Sequence, residues 1–284
     1  MLGSSGAPRL PVLFIGHGTP RNAIADNEFT RGWARLGARL PRPRAILVIS
    51  AHWYTYGTGV TAADQPETIY DFGGGADLRH LNYPAPGLPN LAERVAELLA
   101  PCPVVRDTSW GFDHGCWSVL MRAFPEAEIP VVQLSIDGTQ RPQVHFDIGK
   151  RLAPLRDEGV LIFTSGNIVH NLGLVIYDDA AKPYEWAERF DLIVRDRLMQ
   201  KDWEVLVDYA ALGPDAALSI PTPDHYLPLL YAMGAADPGE QVSFPVEGIH
   251  LGSVSMRCVM FGEIPEIAEG RFVPRVVQSR PLQA

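Results

Sequence analysis

Cysteine is scarce in this chain and odd in number: Cys102, Cys116 and Cys258 stand far apart. Three such residues build neither a disulfide framework nor a zinc-thiolate cluster, and they suit a reducing, cytoplasmic setting. Long apolar runs are missing too. No stretch reaches the roughly 20 apolar residues that cross a bilayer, and Met1 to Arg9 lacks the charged start and apolar core of a secretory leader. Positive charge is in deficit: 24 Lys and Arg against 33 Asp and Glu leave a formal charge of −9. That balance argues against nucleic acid or an anionic membrane as the main partner, because both select a basic face. What remains is ordinary globular usage, 46% apolar and 20% charged, enough to bury a sizeable core. α/β chains of this size commonly close around one core. A single domain over residues 1–284 is therefore expected, with its core at about 10–262 and a tail over 263–284. Composition is compatible with a monomer or a homodimer.

Short apolar runs supply the fold class. Pro11 to Gly16 and Arg44 to Ser50 read as buried strands, and Phe29, Trp33, Leu36 and Leu40 recur between them at helical spacing. Asp26 or Asn27 can cap that helix; Pro41 and Pro43 stop it. The result is a βαβ unit, whose two strands lie parallel in one sheet with their C-terminal ends together. The alternation continues with a helix at Leu91 to Leu99, a strand at Ile129 to Ile136, a helix at Val144 to Leu155 and a strand at Gly159 to Ser165. Tyr184 to Gln200 reads as helix, and Gln241 to Phe244 and Ser253 to Phe261 as strands added antiparallel at an edge. The expected architecture is a three-layer α/β/α sandwich around a mainly parallel, mixed central sheet. The Gly- and Pro-rich stretch from Asp64 to Pro89 is long for a loop and reads as a lid over a site.

Chemistry concentrates in the histidines. His17 follows the first strand and His52 the second, while His170 comes five residues after Ser165. In open α/β sheets ligands bind beyond the carboxyl ends of the strands, so these side chains share a rim. His225, in Pro221-Thr-Pro-Asp-His-Tyr-Leu-Pro228, sits at the first turn of a short helix, and His114 lies in Trp110-Gly-Phe-Asp-His-Gly115 ahead of an apolar helix. Singly, each is explained as a hydrogen-bonded boundary residue. Together His17, His52 and His225 suit a metal, since imidazole serves zinc, iron, copper and nickel alike. His145 and His250 read as solvated or structural, and His80 in the lid as a substrate contact. Rival motifs fail: Gly16-His17-Gly18 begins a dinucleotide fingerprint, but Arg21 stands where the third glycine belongs. Neither Ser50 nor Ser165 sits in a Gly-x-Ser-x-Gly elbow.

Six blocks carry a family resemblance: Phe14 to Pro20, Val48 to Trp53, Tyr83 to Gly87, Trp110 to Gly115, Ser165 to Asn171 and Pro223 to Leu230. On these the chain resembles the class III extradiol ring-cleavage dioxygenases, and most of all their 4,5-DOPA-type branch. The resemblance implies that His17, His52 and His225 ligate a non-haem metal. His170 is implied as the acid/base histidine and a possible fourth ligand, and His114 as a second catalytic histidine near substrate. Asp113 is expected to set the tautomer of His114, and with His80 and Tyr226 to face the substrate. Other branches of the class use two histidines and a glutamate; here His225 takes the third place. Fe(II) is the implied cofactor, with Zn(II) able to occupy the same site, and the implied partners are a catechol, DOPA or a relative, and O2. Oxidative ring opening wants a redox ion with vacant positions, which a face-capping set of three ligands leaves free. A zinc hydrolase fits three histidines as well, and so does a binding protein without turnover.

Overall fold

The computed structural model describes residues 9–264. The supposed tail past Ile264 and residues 1–8 of the start lie outside the described residues. Among the described residues ten strands form in chain order: β1 (Val12–Gly16), β2 (Ala45–Thr55), β3 (Thr58–Thr61), β4 (Val104–Asp107), β5 (Val131–Asp137), β6 (Val160–Gly166), β7 (Val242–Val246), β8 (Ile249–His250), β9 (Val254–Ser255) and β10 (Cys258–Phe261). Eight of them make one sheet in the order β4-β3-β5-β2-β6-β1-β10-β7, while β8 and β9 pair separately. The centre is parallel, through the β5/β2, β2/β6 and β6/β1 pairs. Antiparallel pairing enters on both sides, where β3 meets β5 and where β10 meets β1 and β7. β1 and β2 do share the sheet, with β6 inserted between them.

Strict alternation along the central strands divides the core. Val12, Phe14, Leu47, Ile49 and Ile162 face one layer, made of α2 (Pro89–Leu99), α4 (Pro142–Leu152), α5 (Glu185–Gln200) and, after the short α6 (Trp203–Val207) and α7 (Pro214–Ser219), α8 (Leu227–Ala235). Leu13, Ile15, Ile46, Val48, Leu161 and Phe163 face the other, made of α1 (Glu28–Arg39) and α3 (His114–Ala123). Two separate apolar clusters, one per face, are what a sheet covered on both sides must show, and the three-layer sandwich holds. Every residue of α8 is buried, as befits a helix wedged between the sheet and α4 rather than floated on the surface. The helix starts follow their sequence signals. Asn27 caps α1 in a reciprocal box with Thr30, and Asp113 caps α3 by accepting from the Cys116 amide.

Two departures bear on the site. β2 does not stop at Ser50; it runs to Thr55, and its register against β5 breaks between Ile49, opposite Leu134, and Tyr54, opposite Ile136. His52 therefore sits on an irregularity inside a strand, the kind of bulge that re-aims a side chain beside a reactive site. The segment from Asp64 to Pro89 is largely irregular, with one 3-10 turn at Ala76–Leu78, yet it is stitched down. Thr68 bridges Phe112, the Ile69 amide donates to the Phe112 carbonyl and the Phe112 amide to that of Glu67. The Trp117 indole donates to the Ile69 carbonyl, and the Tyr83 hydroxyl to that of Phe124.

Candidate metal centre

Five imidazoles converge at the C-terminal end of the parallel strands. His17 continues β1: its amide donates to the Gly166 carbonyl at 3.1 Å, and the Asn22 side chain holds its carbonyl at 3.0 Å. Gly16 before it lies so close to the Ser255–Arg257 backbone that a Cβ would meet the Met256 carbonyl carbon at 2.7 Å. His225 reaches the same point from the run into α8. The Asn167 amide pins its carbonyl, and Gly166 permits that approach, since a Cβ there would fall 2.2 Å from the same oxygen. His114 opens α3, and His170 is tied by its amide to the Ser219 carbonyl. The rings of His17 and His52 lie 5.0 Å apart, those of His17 and His225 5.3 Å, and those of His52 and His225 5.0 Å. His170 stacks flat on His225 at 3.5 Å, and His114 lies 3.7 Å from His52.

Hydrogen bonds decide which nitrogen of each ring is free. Ser165 donates its hydroxyl to the Gly115 carbonyl at 2.6 Å, so its remaining contact, 3.0 Å from His17 Nδ1, requires His17 to donate. His52 Nδ1 lies 3.1 Å from Asp71 Oδ2, and His225 Nδ1 bonds the carboxylate of Asp224. Each ring therefore carries its hydrogen on Nδ1 and turns a bare Nε2 to the centre. His225 Nε2 is buried and has no partner among the described residues, and the Nε2 atoms of His17 and His52 stand 3.1 Å apart. Two lone pairs at that distance repel unless a proton or cation lies between them. Nitrogens sharing an ion at about 2.0–2.1 Å sit roughly 2.9–3.3 Å from each other, so the observed spacing fits a common ion. Ligand atoms of His17, His52 and His225 all lie within 4.8 Å of one another. His52, Asp71 and His114 meet the same distance test, but there the Asp71 hydrogen bonds account for the proximity.

Burial favours the neutral form of His17, His114, His170 and His225. Removal from water, reinforced by the neighbouring imidazoles, holds His17 and His225 well below the usual histidine range. His170 is lowered to about 4, mainly by burial, with Asp224 pulling the other way. His114 is lowered by burial and His52 against the pull of Asp71. Burial favours the neutral acid of Asp71, yet hydrogen bonds from His114 and His52 hold it well below the carboxylate range. Neutral imidazoles with oriented lone pairs beside two carboxylates make a receptor for a dication.

Residues 11–258 match the family model described as the catalytic LigB subunit of aromatic ring-opening dioxygenase. The chain belongs to that family. A 4,5-DOPA dioxygenase extradiol of Escherichia coli K12 is 51% identical over 259 residues, 89% of this chain and 95% of the relative. One from Beta vulgaris is 43% identical over 79% of this chain and 86% of its own length. The crystal structure of an uncharacterised Escherichia coli K12 protein superposes with a TM-score of 0.80 at 50% identity, covering 89% of this chain and all of the other. The dioxygenase activity implied by the six sequence blocks is thus shown at the level of extradiol ring cleavage, and the hydrolase alternative is not favoured. LigB dioxygenases depend on a metal, and the His17, His52 and His225 group supplies a place for one.

Not every expected site residue of this dioxygenase lies at the centre. Asp113 is fully buried and takes its bonds from the Ser50 hydroxyl at 2.7 Å, the Gln133 amide at 2.7 Å and the Cys116 amide. It caps α3; the carboxylate on His114 Nδ1 is that of Asp71, at 3.0 Å. Tyr226 is wholly buried, donates to the Leu206 carbonyl and packs against Tyr209 and Phe190, so it belongs to the core rather than to a substrate surface. His80 is exposed, past Leu78 on the outer part of the loop. His145, within α4, is structural: fully buried, with Nδ1 2.9 Å from the Tyr231 hydroxyl. Sequence reading missed Asp71, Asp224 and Ser165 as partners of the histidines. A signal for the first lay in Asp71-Phe-Gly-Gly-Gly75, inside the stretch read as a lid.

Proposed function

We propose that this protein is an Fe(II)-dependent extradiol dioxygenase acting on DOPA or a related catechol, with His17, His52 and His225 as the iron ligands. The supporting observation is the unpartnered, buried Nε2 of His225 beside the two facing Nε2 atoms of His17 and His52. An iron ion held by these three nitrogens would supply the redox chemistry that ring opening by O2 needs. Zinc fits the same nitrogens, but it supplies no redox chemistry for ring opening.

The chain's own side chains do the remaining work. His170 is neutral at pH 7 and half-buried beside the centre; it takes a proton from a catechol hydroxyl and returns it later in the cycle. His114, with its hydrogen on Nδ1 directed at Asp71, presents Nε2 as a hydrogen-bond acceptor to the substrate side. Phe72 meets the His114 ring edge-on at 5.5 Å and shields that side from water. A cytoplasmic setting suits the three free cysteines, and no helix among the described residues is long and apolar enough to cross a membrane.

The test is O2 uptake by anaerobically Fe(II)-loaded protein given DOPA or simple catechols, followed with the coloured ring-opened semialdehyde. Uptake matched by semialdehyde supports the assignment. Turnover with Zn(II) alone, or ester or amide hydrolysis, refutes it.

A further inference from the structure

We propose that Asp71 is a positioning residue that fixes the tautomers of two imidazoles at once, His52 on the metal side and His114 on the substrate side. The inference rests on His52 being a metal ligand, as read above. It turns the Gly-rich loop into a working part of the centre rather than a cover over it.

The geometry gathers three nitrogens on one carboxylate: His114 hydrogen-bonds it through its ring and its amide, and His52 Nδ1 lies within ion-pair distance. Oδ2 lies 3.1 Å from His52 Nδ1 and 3.0 Å from His114 Nδ1, and Oδ1 accepts the His114 backbone amide at 2.8 Å. An ionised carboxylate offers only acceptors, so both Nδ1 atoms must carry hydrogen, and in a neutral imidazole Nε2 is then bare. One side chain thereby settles the donor and acceptor pattern of two neighbouring rings whose centroids are 3.7 Å apart. A lone carboxylate on a flexible loop has no such authority, but this one is braced on both flanks. Residues 67–69 pair with Phe112 and Trp117, immediately beside His114, and the Tyr70 hydroxyl donates to the Leu81 carbonyl at 2.7 Å. On the other side Phe72 packs against His114 and Trp117. Gly74 and Gly75, at φ of +73° and +58°, then turn the chain away. Such φ values favour glycine, which gives Asp71-Phe-Gly-Gly-Gly75 a structural reason for its glycines.

Asparagine is the informative replacement because it keeps the shape and breaks the pattern. With its amide NH2 toward the rings, Asp71→Asn donates to an Nδ1 and drives that imidazole to the Nε2–H form, which cannot ligate. Flipped, it sets the NH2 against the His114 backbone N–H. Neither orientation satisfies all three donors, whereas Asp71→Glu keeps the acceptor pattern at the cost of reach.

The experiment has a readout that needs neither iron nor turnover. Long-range 1H–15N spectra of metal-free protein labelled at histidine report each tautomer, with His52 and His114 assigned by single substitutions. The expected result is Nδ1–H for both rings in the wild type, and Nε2–H for at least one in Asp71→Asn. Affinity for Zn(II), measured against a chromophoric chelator, should fall roughly 10–100-fold, the usual effect of losing such a partner, with part of the loss recovered in Asp71→Glu. With catechol, kcat should drop more than KM rises. Nε2–H on either ring in the wild type overturns the proposal, as does Asp71→Asn with both tautomers and Zn(II) affinity unchanged. If Asp71→Asn fails to fold, the wild-type spectrum and the Asp71→Glu affinity still decide. Wild-type protein with the expected tautomers but no ring cleavage sinks the dioxygenase assignment and leaves this one standing.

Discussion

Ser165→Ala isolates the effect of orientation on metal affinity. The Ser165 hydroxyl is fully buried and bridges the Gly115 carbonyl at 2.6 Å and His17 Nδ1 at 3.0 Å. Without it, His17 Nδ1–H has no acceptor, and a buried unsatisfied donor costs about 1–3 kcal/mol. In the metal-free protein the ring escapes that cost by moving its hydrogen to Nε2, where His52 Nε2 stands 3.1 Å away as an acceptor. Binding an ion requires the reverse move, because the ion needs that lone pair. The penalty therefore falls on the metal-bound state: affinity should drop by roughly 5- to 150-fold, which is the same 1–3 kcal/mol at about 1.4 kcal/mol per factor of ten. Stability of the metal-free form should change by less than about 1 kcal/mol, within the range of a minor substitution. Chelator competition with Zn(II) measures the first quantity and urea unfolding the second. An affinity within twofold of wild type, or a stability loss as large as the affinity loss, refutes the tautomer argument for His17.

Substituting alanine for His17, His52 or His225 should remove most bound metal, whereas His170→Ala should keep it and lose turnover; metal content per chain and O2 uptake separate the two classes. Gly115→Ala tests packing against His52. In an ordinary helix position this change stabilises by roughly 0.5–1 kcal/mol, but here the methyl would lie 2.5 Å from Ser50 Oγ and 3.0 Å from His52 Cδ2. A loss of about 1–3 kcal/mol is expected instead, with weakened Zn(II) binding, both read by the same unfolding and competition assays. His145 carries an acid sensitivity. Burial holds its imidazole down to about 4 from 6.5, against the pull of the Gln140 carbonyl and Asp137. Between those values the unfolded chain binds more protons, so stability is fully present above pH 6.5 and is lost as pH falls toward 4, by up to about 3 kcal/mol. His145→Gln should be less stable than wild type at pH 7.5 and lose that deficit near pH 4.5; a deficit that stays constant with pH counts against the assignment.

The parts of the fold legible in the sequence were those where a single physical demand dominates. Strands buried on both faces must be apolar throughout, and the runs at Val12–Gly16, Val131–Asp137 and Val160–Gly166 were found within two residues of their ends. β3 and β4 were not found, because Thr58-Gly-Val-Thr61 and Val104-Val-Arg-Asp107 are short, partly exposed and carry no run to see. The continuation of β2 past Ser50 was hidden by its bulge, which interrupts the alternation. The convergence of the histidines was legible because chain position relative to a strand end predicts it. Their partners were not, since Asp71 lies 19 positions from His52 and 43 from His114, and no local pattern states a contact at that separation. Asp113 was chosen in its place through simple adjacency. Chain neighbours on a helix start point apart: Asp113 turned inward to cap α3 and hold Ser50 and Gln133.

The three candidate ligands come from residues 17, 52 and 225, just past β1, on β2 and just ahead of α8. Contacts between such remote stretches form slowly, because a long intervening chain must be ordered first. During synthesis from the N-terminus, the first two imidazoles emerge with most of the protein still unmade. The third arrives only after the whole parallel centre of the sheet exists. Metal capture by this group would thus be deferred to the end of assembly, and a truncated chain ending before His225 would present two of the three candidate ligands but no complete pocket in which a metal could be retained.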